Sequence, residues 1–346
     1  MSNARELAQL PSVPSGRRNL ITNGGMTVWQ RSTSLAGVTE TDGYQTADRF
    51  QFWTYSGGTY TLSQSTTAPS GFALSYKVLN TATVSTVAGT GVSFRQRIEA
   101  QDLQHLEYNT SDSKAVTLSF WVRSDTTGTY AIRIYNPDST RMITKTYSIS
   151  SANTWEKKTI VFAGDTSGVI NNDNGYGFEL AWWLAAGTDF TSGTASGNWE
   201  AYSATKEADG QTVELNTGGE WYITGIQLEV GSVATEFEHR SYGEELALCQ
   251  RYYEFFASGT YPGAFQGKCS AAGGGGGSIY VPYKVTKRAN GTVSSVTMRN
   301  ANTGATASAS AAFISTHGHA YGTGGVAGSI GDAMHINSIV TVDSEL

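Results

Sequence analysis

The sequence predicts a mostly β protein: a two-sheet β-sandwich followed by one helix and a small β-rich C-terminal region, with a short N-terminal helical arm. Three observations predict it. Charged residues make up 15% and aromatic residues 11% of the 346-residue chain, where an average soluble domain carries about 25% charge. With abundant Thr, Ser and Gly, that balance favours short strands and turns over helices. Apolar residues recur with period two over residues 19–237, broken by Gly/Asn/Asp turn clusters. One later segment, 241–256, breaks the alternation with helical spacing.

Residues 2–10, SNARELAQL, read as a helical arm with Ser2 or Asn3 as N-cap, and the Pro/Ser/Gly stretch 11–16 reads as a hinge. The arm, residues 1–17 in all, is too short to fold alone, so it either docks on a partner or frays. The sandwich is expected over 18–240. Val116, Leu118, Phe120 and Val122 share one face of a strand, and Thr117, Ser119, Trp121 and Arg123 share the other. Tyr130, Ile132 and Ile134 alternate with Ala131, Arg133 and Tyr135; Val92, Phe94 and Ile98 alternate with Ser93, Arg95, Arg97 and Glu99. Turns are expected at 56–58, 125–128, 171–175 and 217–219. Many half-buried antiparallel strands at such spacing specify two packed sheets.

Ser241 followed by Glu244 forms a capping-box pattern at the start of a helix expected over 241–257, with Leu246, Cys249, Tyr253 and Phe256 along one stripe. Residues 258–346 form the C-terminal region. It holds five consecutive glycines, Gly273 to Gly277, and strand patterns at 279–285, 292–298, 311–315 and 335–342. Being rich in Ala, Gly, Ser and Thr, it is expected to bury little as a monomer, and oligomerisation would supply the missing core.

The net charge of −6 leaves no electrostatic footprint for nucleic acid. No run of 18 apolar residues exists, so no helical membrane insertion is expected. No signal-peptide core opens the chain. Cys249 and Cys269 are the only cysteines, so no disulfide framework is expected. A chain suited to a reducing compartment thus carries the surface chemistry of an extracellular one.

Two segments resemble a known family. RNLITNGGMTVWQR at 18–31 with TADRF at 46–50 opens the sandwich, and WYITGIQLEVGSVATEFEHR at 221–240, running into YGEEL and CQRYY, closes it. The pairing resembles phage tail-fibre and related virion proteins built on a carbohydrate-binding-module-like jelly roll, over roughly residues 18–256. PYKVTKR at 282–288 resembles the strand that opens their C-terminal part. The resemblance implies a homotrimeric virion component, assembled in the bacterial cytoplasm. It also implies a tail fibre that binds host-surface glycan without catalysis and joins a tail or other virion protein through the arm, at Asn3, Ala4, Arg5, Leu7 and Leu10. The alternatives are a capsid- or tail-decorating structural fibre with no glycan site, and a glycan depolymerase. Such jelly rolls often hold a structural calcium after an Asn-Gly turn. Here Asn23-Gly24 is followed by no carboxylate and Glu229 stands alone, too thin a set for an ion wanting six to eight oxygens.

Sugars present apolar C–H faces and hydroxyl rims, so a flat aromatic beside polar groups is the expected receptor. Trp121 on its polar face, flanked by Ser119 and Arg123, and Trp183, facing opposite Trp182, are the candidates; the competing reading has both covered by a loop or subunit. Trp29, Trp53 and Trp221 are assigned to core or strand-end packing. His317 and His319 project to one side of an extended segment, and on a threefold axis six imidazoles would surround one transition metal. The alternative is a solvated glycine-rich loop. No Gly-x-Ser-x-Gly elbow, Walker loop or HExxH helix appears, and the acidic pairs Asp173/Glu179 and Glu200/Glu207 sit in loop-like stretches. The chain is therefore not expected to be an enzyme.

Overall fold

A computed structural model describes residues 17–56, 58–82, 86–256, 265–268, 278–322, 326, 329–330 and 332–346. The arm with Asn3, Ala4, Arg5, Leu7 and Leu10, together with Cys269 and Gly273 to Gly277, lies outside the described residues. The alternating segments form β1 (Ser34–Val38), β2 (Thr41–Gly43), β3 (Phe50–Tyr55), β4 (Tyr60–Ser65), β5 (Ser75–Asn80), β6 (Gly91–Glu99), β7 (Val116–Ser124), β8 (Gly128–Asn136), β9 (Arg141–Ile149), β10 (Glu156–Phe162), β11 (Tyr176–Ala186), β12 (Glu200–Ala201) and β13 (Glu220–Val230). A six-stranded sheet runs β1-β4-β5-β13-β7-β10 and a seven-stranded sheet runs β12-β9-β8-β11-β6-β3-β2. Their pairings are antiparallel and the chain crosses repeatedly between the sheets, which makes a jelly-roll-like sandwich.

The period-two faces fall as the alternation requires. Val116, Leu118, Phe120, Val122, Tyr130, Ile132, Ile134, Val92, Phe94 and Ile98 all point into the shared core. Phe94 is its aromatic hub, with Phe50 and Tyr76 at 4.7 Å, Trp221 at 5.7 Å and Trp182 at 6.0 Å between ring centroids.

The two motif-bearing segments of the sequence clasp each other. Asn19 Oδ1 accepts from Ile21 N and Leu228 N, while its Nδ2 donates to Ile226 O at 3.0 Å. The Glu238 carboxylate accepts from the backbone of Arg18 and Asn19, and Arg240 donates to Asn19 O. Asn23, at φ +60°, accepts from Thr27 N and Val28 N and donates to Val28 O and Asp48 O. A Cβ on Gly24 would lie 2.1 Å from Ile226 O, so only glycine lets the Asn23-Gly24 turn approach the closing strand.

The capping box forms as read: Glu244 N donates to Ser241 Oγ at 3.3 Å, and the Glu244 carboxylate accepts from Ser241 N at 2.9 Å. Ser241→Ala should lower stability by about 1 kcal/mol, read as a shift of the urea unfolding midpoint. The helix spans Tyr242–Gln250 and is shorter than expected; Tyr253–Phe256 is a strand paired with Val340–Asp343. Long-range pairing of an aromatic run outweighs the local helical spacing there. Most of the stripe is buried within the chain itself. Cys249, Tyr252 and Tyr253 are buried, with the Arg49 guanidinium 3.4 Å over Tyr252 and that of Arg31 3.7 Å over Tyr253. Burial pushes the Cys249 thiol well up, leaving it unreactive.

The C-terminal region builds a core of its own, against the expectation that it would bury little. Its three small sheets enclose Ile279, Val281, Val296, Met298, Tyr321, Met334, Ile336, Val340 and Val342 with Phe256. Charged contacts tie it to the sandwich: Arg31 pairs with Asp343 at 3.0 Å and Glu345 at 3.3 Å, Arg49 pairs with Glu345, and Arg97 donates to Leu346 O.

Candidate functional site: an aromatic cleft on the six-stranded sheet

Odd-numbered residues of β7 face away from the core, so Ser119, Trp121 and Arg123 lie on the outer surface of the six-stranded sheet. There, Trp121 pairs with Thr224 on one side and Lys157 on the other. β13 carries a bulge between Thr224 and Gln227, and Gly225 within it adopts φ +62°. A Cβ on Gly225 would meet the Phe72 ring at 2.6 Å, so the glycine opens the seat in which that ring lies. Phe237 and His239 complete the wall, with Phe72 5.0 Å from Phe237 and 5.4 Å from His239.

The result is a cleft of about 220 Å³ with Trp121, Phe72, Phe237 and His239 as its aromatic surfaces and Ser119, Lys157 and Glu236 on its polar rim. Trp121 is half-buried, with ring surface in reach of a ligand, and Ser119 is almost wholly covered. This combination suits a sugar ring: apolar C–H faces stack on aromatics and hydroxyls bond to the rim. Sequence reading found Trp121 and Ser119 and missed Phe72, Phe237 and His239, which come from irregular segments where no periodicity indicates direction.

Three expectations need correction. Trp183 does leave the sandwich interior, but it is fully buried beneath the segment after β11, 5.0 Å from Phe190 and 5.8 Å from Trp53, so it presents no ring to a ligand. Arg123 is not a free rim group: it donates to the Asn153 backbone and side chain and lies 4.8 Å over Tyr222. His317 and His319 do not share an environment. His317 is exposed and bonded to Thr316, whereas His319 is buried with Nδ1 3.0 Å from the Tyr283 hydroxyl. Burial lowers the His319 pKa to about 4.

The remaining candidate groups are engaged internally. Asn23 is committed to backbone as described, and the Glu229 carboxylate accepts from Thr235 and Gln227. Glu200 is held by Lys206, and Glu207 by Tyr202 and Arg133. Burial raises Glu179, but Arg133, Arg95 and Arg97 outweigh it and hold its pKa at about 2, so it carries no proton to donate near neutrality. Among the described residues no group of three or more His, Cys, Asp or Glu side chains is placed to hold a metal ion. No helix among them is long and apolar enough to cross a membrane.

Solved structures similar to this chain include a phage tailspike domain, a putative sugar-binding protein and several carbohydrate-binding modules. The tailspike is the enzymatically active domain of tailspike protein 4 from bacteriophage CBA120, at 14% identity and TM-score 0.31, covering 61% of this chain and 21% of that one. The chain thus spans about a fifth of the tailspike domain's length. A putative sugar-binding protein from Bacteroides thetaiotaomicron matches at 11% identity and TM-score 0.32, covering 62% of this chain and 100% of that one. The family 11 carbohydrate-binding module from Clostridium thermocellum, in complex with a β-1,3-1,4-mixed-linked tetrasaccharide, matches at 12% identity and TM-score 0.30, over 60% and 99% of the two chains. No family model matches the sequence, and no curated protein matches it.

Proposed function

We propose that this chain is a non-catalytic glycan-binding protein of a phage virion, a homotrimeric tail fibre whose sandwich grips a host-surface sugar at the Trp121 cleft. The observation that carries the reading is the cleft itself: Trp121 and the Phe72, Phe237 and His239 rings line one cavity together with polar groups. Binding is weak per site and gains strength from several copies. The C-terminal region supports association through Tyr280, Phe313, Ile330 and Ile339, exposed at 57%, 88%, 71% and 51%. Assembly in the host cytoplasm and attachment to a virion protein through residues 1–16 complete the proposal.

Trp121→Ala should weaken glycan binding about tenfold or more, the loss expected for an aromatic stacking contact, while the unfolding midpoint moves little because the ring is off the main core. The check is adherence of labelled protein to host cells beside a thermal melt. Unchanged adherence would favour a decorating fibre, a reading also supported by the Asn19, Asn23, Glu238 and Arg240 motif residues serving as a structural clasp. Sedimentation at three times the chain mass is expected; a monomer would remove the trimer from the proposal.

A further inference from the structure

The outer face of the opposite sheet carries a guanidinium with no full partner. Arg95, on β6, is 8% exposed and pairs across the strands with Gln51 on β3. Its Nε donates to Ser93 Oγ at 2.7 Å, and its guanidinium carbon lies 4.4 Å from the centre of the Trp53 ring. The nearest carboxylate, Glu179, is 4.0 Å away and already held by Arg97 at 2.8 Å and by Arg133. Glu207 is taken by Arg133 and the Tyr202 hydroxyl. Two buried guanidiniums, Arg95 and Arg133, and the half-buried Arg97 thus share two buried carboxylates, and Arg95 makes the longest of their ion pairs. Asp42, exposed on the edge strand β2, adds only a weaker attraction to the Arg95 charge, ranking after Glu179 and Glu207. Beside Arg95, the Gln51 Oε1 is buried without a hydrogen-bond partner, although Gln51 is only 5% exposed.

We propose that Arg95, Gln51 and the Trp53–Tyr55 edge form a second ligand site, for the carboxylate of an acidic sugar such as a uronate. The planar fork of a guanidinium matches a carboxylate with two parallel hydrogen bonds, and stacking on Trp53 fixes its plane. Tyr55 lies on the same face two residues beyond Trp53 and is 53% exposed, a platform for the sugar ring. Trp53, assigned from sequence to packing, is half-buried and held edge-on by Trp183 and Phe190, so its ring is presented rigidly. Burial pulls the Arg95 guanidinium below its usual pKa, and an arriving carboxylate would relieve that cost. The site extends the glycan reading to a second face of the sandwich but shares no residue with the Trp121 cleft, so each fails or stands alone.

The test is calorimetric titration of the full chain with trigalacturonate, with cellotriose as the neutral trisaccharide and sodium sulfate as the inorganic anion. Trigalacturonate should bind and weaken with added salt. Its affinity should fall about tenfold or more in Arg95→Gln, as expected on losing charge-assisted hydrogen bonds. Tyr55→Ala, an exposed change that keeps the fold, should also weaken it, and Trp121→Ala should leave it unchanged. Equal affinity in wild type, Arg95→Gln and Tyr55→Ala would overturn the proposal. So would binding of sulfate as tight as trigalacturonate, which would reduce the site to a general anion contact.

Discussion

Glu179→Gln should destabilise the sandwich by about 3–5 kcal/mol, the range for removing one partner of a buried ionic cluster. The carboxylate sits on β11 between Arg97, 2.8 Å away on β6, and Arg133 on β8, with Arg95 at 4.0 Å. Glutamine keeps the shape and removes the charge, which strands guanidiniums that are 3% and 8% exposed at Arg133 and Arg95. The pH dependence separates this cause from lost packing. Glu179 is held at about 2 in the folded chain, below its unfolded value, because the three arginines outweigh burial. A depressed acid stabilises fully above the unfolded pKa near 4.5, and that contribution disappears as pH falls through the folded value. Wild type should therefore lose about 3 kcal/mol from this group between pH 4.5 and 2. The difference in urea unfolding free energy between wild type and Glu179→Gln should shrink over that window. A constant difference would mean that the three arginines do not depend on this carboxylate.

Alternation along single strands was enough to place most of the sandwich. Val116 through Val122 divided correctly into core and outer faces, and Trp121 emerged on the outside because each face is fixed by parity. What parity does not contain is the cover on the outer face. Trp121 and Trp183 look alike in sequence, yet Phe190 lies over Trp183 while Trp121 borders a cleft. The cluster at Glu179 was hidden for a related reason. Arg95, Arg97 and Arg133 were each legible as outer-face residues, but their convergence on one carboxylate depends on the register of three strands. The helix end was misjudged because Tyr253–Phe256 owes its strand conformation to Val340–Asp343, far along the chain. In the C-terminal region, residue counts understated the core, since Met298, Met334 and Tyr321 fill it from separate strands.

Lys287→Ala should unfold the C-terminal region ahead of the sandwich. Lys287 and Glu254 are both fully buried, 2.6 Å apart, and the ammonium also donates to Gln250 O at the end of the Tyr242–Gln250 helix. Burial pulls the lysine pKa down, and Glu254 only partly restores it. Truncating the lysine takes from the buried Glu254 its close cation and leaves only the longer pair with Lys284 at 3.9 Å, at a cost of about 3–5 kcal/mol. That loss falls on the strand Tyr253–Phe256, which pairs with Val340–Asp343 in one of the three C-terminal sheets. The positions of the tryptophans make the effect visible, because all 8 lie between Trp29 and Trp221, in the sandwich part of the chain. On heating, far-UV circular dichroism should show an early transition in Lys287→Ala that tryptophan fluorescence does not follow, while wild type loses both signals together. Replacing both partners, Lys287→Met with Glu254→Leu, should recover most of the loss, since two apolar side chains leave no unpaired charge. If the single variant instead lost both signals in one step, the sandwich and the C-terminal region would be one cooperative unit, bound by the Arg31, Arg49 and Arg97 contacts to residues 343–346.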